Sequence, residues 1–115
     1  MIESNAFTGL LAGDYFIHCF EFEGQTLFAY GHVLEIGPDG RHHVDYQSQH
    51  RQSKHATARE EDHRVIGRIS KRAYALARLR HWPKSEAGIL AVLDYSVGQP
   101  VALSVSERLW LLFVH

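Results

Sequence analysis

Two stretches joined by a tight turn limit what the first half of this chain can become: "DYFIHCFEFE" (residues 14–23) and "TLFAYGHVLEI" (residues 26–36), the second running into "GPDG" (residues 37–40). Large apolar side chains recur at every second position, the period of a strand and not of a helix. In the first stretch Phe16, His18, Phe20 and Phe22 share one face and Tyr15, Ile17 and Cys19 the other; in the second the even face holds Phe28, Tyr30, His32, Leu34 and Ile36. Pro38 presets the backbone for the first turn position and Gly40 can take the positive φ that closes a three-residue hairpin loop. Such a loop pairs Ile36 with His42, Leu34 with Val44 and His32 with Tyr46, and a like loop at Gly24 sets Phe22 near Thr26 and Phe20 near Phe28. Both hairpins then present their even-numbered faces, His18 and His32 included, to one side of the sheet. A slip of one residue would place Arg41, His43 and Asp45 there instead, which the burial of unpaired charge disfavours.

Beyond the second hairpin, residues 47–62 have no periodicity and no large apolar side chain, and they read as a long polar connection. Apolar pattern resumes at "HRVIGRIS", a fourth strand. Ser70 then caps "KRAYALARLRHW", a run of good helix formers that Pro83 ends. "SEAGILAVLDY" is short and apolar enough for either a strand or a helix, and Ser85 as a cap favours the helix. In "LSVSERLWLLFVH" a capping box, Ser104 with Glu107 three residues on, opens an apolar helix, although "RLWLLFV" alone also fits a buried strand. With 115 residues and 45% apolar content, the chain can bury one core. The expectation is therefore a single α+β domain over residues 1–115. A bent antiparallel sheet of about four strands, SH3-like or barrel-like, fills residues 13–70, and two or three helices follow over residues 71–115.

The motifs Gly13-Asp14, Ala29 to Ile36 and Asp39-Gly40 occur in the order found in small SH3-like barrels of the Tudor or KOW kind, and residues 13–70 resemble those modules. The resemblance implies a barrel that binds nucleic acid or modified peptides, often through aromatic residues at its mouth. The chain departs from it in the polar insertion before the fourth strand and in its helical second half, and no aromatic cage can be assigned. "LLAGDYFIH" and "RVIGRI" are also similar to the β-rich peptidase domain of LexA-type repressors, but the serine and lysine that chemistry needs cannot be placed here.

No constellation names a reaction. Nine histidines suggest zinc, yet none has the close pairing of a structural site: His50 and His55 are five apart on the polar connection, and His42 and His43 point to opposite faces of a strand. The best metal or catalytic candidate is His18 with His32, and a pair of hydrogen-bonded core histidines is the plainer reading. Cys19 beside His18 cannot be activated by it, because neighbouring strand residues face opposite ways, and the "EED" at residues 60–62 reads as a solvated face. No glycine-rich phosphate loop is present, and no cofactor is expected.

Charge is more informative. Residues 1–40 carry six acids and no Lys or Arg, residues 41–84 carry eleven of the twelve basic residues against four acids, and residues 85–115 carry three acids and Arg108. A segment of +7 within a chain of net −1 marks Arg51, Lys54, Arg59, Arg64, Arg68, Lys71, Arg72, Arg78 and Arg80 as the candidate contact set for an anionic partner. The reading is a non-enzymatic binding or regulatory protein, of the kind phages and plasmids encode as small inhibitors or accessory factors. It would dock on a protein or nucleoprotein surface through residues 51–80. The alternatives are a direct nucleic-acid-binding module, with Tyr74 or Trp82 for stacking, and a small metalloprotein or enzyme built on His18 and His32. No signal peptide and no apolar run of spanning length appears, and the single cysteine suits a reducing compartment, so a cytoplasmic location without membrane contact is expected.

Overall fold

Hydrogen bonding across five strands organises the first half of the chain in the computed structural model, which describes residues 9–22, 24–40, 42–48, 52–57 and 64–114. The strands are β1 (Tyr15–Phe22), β2 (Gln25–Ile36), β3 (His42–Ser48), β4 (Gln52–Thr57) and β5 (Arg64–Ile69). They form one antiparallel sheet in the order β4-β3-β2-β1-β5, followed by helices α1 (Lys71–Leu79), α2 (Glu86–Ser96) and α3 (Val105–Leu111). This is the expected α+β arrangement of an antiparallel sheet followed by three helices. The sheet is open, since β4 and β5 are its two edges and do not pair.

The polar stretch at residues 47–62 is not one long connection. Its beginning extends β3 to Ser48 and its middle is β4, paired with β3 through Val44↔Ala56 and Gln47↔Gln52. An edge strand gains its main stabilisation from the backbone ladder, so a sequence without an apolar face can pair there, and polar side chains protect the open edge from further pairing.

Register departs from expectation in both hairpins. β1 and β2 join through a two-residue turn, with Phe22↔Gln25, Phe20↔Leu27 and Cys19↔Phe28 as partners, one residue off the predicted pairing. Gly24 takes φ +77° there, as a two-residue hairpin requires. The second hairpin begins as predicted, Ile36↔His42, but a bulge between Val33 and Glu35 sets Val33 opposite Val44 and His32 opposite Asp45. Even residues of β1 therefore share a face with odd residues of β2.

Both faces of the sheet are buried. On one, Ile17, Tyr30 and Ile69 pack under Ala73 and Ala77 of α1 and Ile89 and Val92 of α2. On the other, Phe16, His18, Ala29, Val33 and Val44 are buried, and Leu10 accompanies them with its carbonyl 3.1 Å from His42 Nε2. The segment before β1 is tied down by Gly13 N–H donating to Val33 O (2.7 Å) and Val33 N–H to Asp14 O (2.9 Å).

Each helix begins at a serine whose hydroxyl accepts a backbone N–H: Ser70 from Ala73, Ser85 from Gly88 and Ser104 from Glu107. α1 ends when His81 N–H donates to Arg78 O (3.1 Å) and Trp82 N–H to Ala77 O (2.8 Å), a Schellman closure before Pro83. No described helix is long and apolar enough to cross a membrane.

Candidate interaction surface

Helix α1 sorts the basic residues by where each side chain lies. Its buried residues Ala73, Leu76 and Ala77 fix the side that meets the sheet and α2, and a rotation of 100° per residue puts Lys71, Ala75 and Arg78 on the opposite crest. Lys71, Arg72 and Arg78 are exposed. Among the described residues neither Lys71 nor Arg78 has an ion-pair partner, and Arg72 Nε reaches only the Tyr95 hydroxyl at 3.4 Å.

The other members of the candidate set are placed differently. Arg68 stands opposite Phe16 in the β5–β1 ladder, so it belongs to the sheet face away from the helices; its guanidinium lies 3.6 Å from Asp14 and donates to Gly9 O. Arg80 is an internal clamp, donating to both carboxylate oxygens of Glu107 (2.7 and 3.1 Å) and to Ala102 O (2.7 Å). The Arg80 hydrogen bonds hold the Glu107 carboxyl at about 2, below its ordinary 4.5, and its partner raises Arg80 in turn. Arg51 and Arg59 lie outside the described residues; Lys54 is placed on β4 and Arg64 on β5 by their backbones.

Beside the crest runs a ladder of rings that connects sheet and helix. Tyr15 of β1 stacks on His32 of β2, with centroids 4.1 Å apart and planes within 3°. Tyr74 of α1 packs on Tyr15 at 4.6 Å and meets Trp82 edge-on at 5.2 Å, and Trp82 packs against Tyr30 at 5.4 Å. The Tyr30 hydroxyl donates to Pro83 O, which fastens the α1–α2 connection to the sheet. Burial pushes both the Tyr30 and Tyr74 hydroxyls up, and Asp45 adds to the effect at Tyr74. Burial lowers His32, an effect partly offset by Asp45 opposite it and reinforced by Lys71. Asp45 Oδ1 is buried with no hydrogen-bond donor among the described residues.

His18 and His32 are not a pair. Cross-strand partners show the parity: Tyr15↔His32 puts His32 under the helices, whereas His18↔Ala29 puts His18 on the far face, buried beside Phe16 at 5.2 Å. The one-residue difference in the first turn separates them, so the metalloprotein or enzyme reading loses its two ligands. Among the described residues no group of three or more His, Cys, Asp or Glu side chains is set to hold a metal. Cys19 is buried on the helix side of the sheet. His50, His63 and the acids at residues 60–62 lie outside the described residues.

Sequence reasoning did not single out Tyr15 or Asp45. Tyr15 carries the expected strand period and was visible as apolar surface, but the stack it makes depends on which residue of β2 stands opposite. Asp45 reaches the site only because the bulge at Leu34 shifts β3. The chain matches no family model, no curated protein and no solved structure.

Proposed function

We propose that this chain is a non-enzymatic binding protein that docks the outer face of α1, through Lys71, Arg72 and Arg78, on an anionic protein or nucleoprotein surface. The observation that supports this is the contrast within the basic segment: Arg68 and Arg80 are engaged by Asp14 and Glu107, while Lys71 and Arg78 stand on an exposed crest with no described counter-ion. The ring ladder beneath them is a rigid support, as its members pack on one another and are only partly exposed. That arrangement favours a protein surface over free bases, which need an open ring to stack on. A small inhibitor or accessory factor working inside a cell fits this description.

The test is a binding assay with the purified partner and with K71E/R72E/R78E. Loss of binding at least tenfold by the triple variant, with affinity falling as salt rises, supports the reading. Unchanged binding removes α1 as the contact face. Direct titration with duplex DNA and RNA separates the nucleic-acid alternative: three cations on phosphates give a slope of log K against log salt of about −2.7 for a B-form duplex. No binding at low salt discards it.

A further inference from the structure

We propose that the exposed side of α3 is a dimer interface, at which two copies of this chain pack α3 against α3 across a twofold axis. The helix is oriented opposite to the usual amphipathic pattern. Leu111 is its single buried residue, and Glu107 turns inward to Arg80. Outward stand Val105 (75% exposed), Leu109 (56%), Trp110 (63%), Leu112 (66%) and Phe113 (76%). Leu112 and Phe113 follow α3 in a tightened closing turn with i→i+3 hydrogen bonds, and at about 100–120° per residue the five side chains occupy one continuous arc in which Ser106 is the only polar residue, with Arg108 at its border.

Area and charge identify the occupant. Five such side chains offer about 600 Å² of apolar surface per copy, which with a polar rim approaches the ~800 Å² that each partner brings to a standard stable interface. A patch this size is large for a monomer. Glu107 is neutralised within the chain and Arg108 at the border is the one charge beside the patch, so the patch itself calls for an apolar partner. The other exposed large apolar side chains are dispersed one or two to an element: Leu11 before β1, Leu34 and Ile36 on β2, Ile66 on β5, Leu90 on α2 and Val97 at its end. Among the described residues, the surface that matches α3 is α3 itself. An isologous contact of this kind closes after two copies, and a net charge of −1 per chain opposes it little. A helix that lies on a membrane instead carries Lys and Arg along its polar side, and α3 has Arg108 alone.

Sedimentation velocity of the full chain from about 5 to about 500 µM tests this. A mass rising from 13.1 kDa to twice that value is expected. Leu109→Glu and Phe113→Glu should weaken the dimer at least 100-fold while leaving the circular dichroism spectrum unchanged, since both side chains are exposed. Leu11→Glu, an equally exposed apolar position before β1 that is not part of the α3 patch, should leave the dimer intact. Oxidised Leu109→Cys should run as a cross-linked dimer, whereas wild type, with only the buried Cys19, should not. A wild-type monomer at the highest concentration overturns the proposal, as does a dimer insensitive to Leu109→Glu. So does growth past two copies, or sedimentation of a monomer with phosphatidylcholine–phosphatidylglycerol vesicles.

Discussion

A single methyl group tests the inner packing of the sheet. Gly31 stands opposite Phe16, and a Cβ placed on it would lie 2.5 Å from Phe16 Cζ and 2.8 Å from Cε1, inside any tolerable contact. Gly31→Ala is expected to cost about 1–3 kcal/mol through overpacking, read from urea unfolding, and trimming Phe16 to Leu in the same chain should return part of it. His32 gives a second test. Its folded pKa lies below the ordinary 6.5 because burial disfavours the imidazolium, so the unfolded state binds the proton more readily. The contribution is complete above pH 6.5 and declines as pH falls below it. An NMR titration should place the His32 midpoint under 6.5, and His32→Gln should flatten the stability profile in that window. At this scale the sequence showed which side chains are large and apolar. It could not show that His18 and His32 lie on opposite faces, because one residue more or less in the turn at Gly24 reverses their parity without changing either strand's pattern.

The helices were legible from their ends. Ser70, Ser85 and Ser104 cap them as expected, and even the ambiguous stretch after Ser85 is helical, because capping and helix bonds are made within a few residues. The end of α1 carries a cost the sequence did not reveal: His81 and Trp82 both have φ +57°, and His81 occupies the position where glycine is usual. His81→Gly should stabilise the chain by up to about 1 kcal/mol, since the relief of left-handed strain exceeds the entropy glycine adds to the unfolded state, and a melting curve shifted upward by a few degrees would show it. The capping box of α3 has a role beyond its own helix, because Glu107 accepts from both Ser104 N–H (2.9 Å) and Arg80. Its pKa of about 2, against 4.5, makes the linkage favourable above pH 4.5 and lost as pH falls toward 2. Glu107→Gln should cost about 1–3 kcal/mol at neutral pH and remove the loss of stability over that acid range, measured by unfolding at a series of pH values. β4 was missed for the opposite reason to the helices' success: nothing in residues 52–57 signals a strand, and the partner that makes it one is β3.

For the molecule as a whole, buried side chains line both faces of the sheet, and Cys19 lies on the one the helices cover. Its thiol should resist an aromatic disulfide reagent in the native state and react at the rate of global unfolding; reaction as fast as a free thiol would mean the helices lift away readily. The charge pattern of the chain marks a basic segment, yet only the fold separates its described members, with Lys71, Arg72 and Arg78 exposed and Arg68 and Arg80 engaged. The apolar end of the chain, whose "RLWLLFV" alone also fits a buried strand, is a helix that buries Leu111 and exposes Val105, Leu109 and Trp110. The sequence by itself determined the order of the three helices and of every strand but β4, the caps, the turn at Gly40 and the α+β class, since each follows from forces acting over two to four neighbouring residues. Only the tertiary structure decided the parity of the sheet faces, the pairing of a polar edge strand, the opening of the sheet and the availability of each cation. Those depend on atoms brought together from distant parts of the chain, where a bulge of one residue or one ion pair changes the outcome and leaves the local pattern untouched.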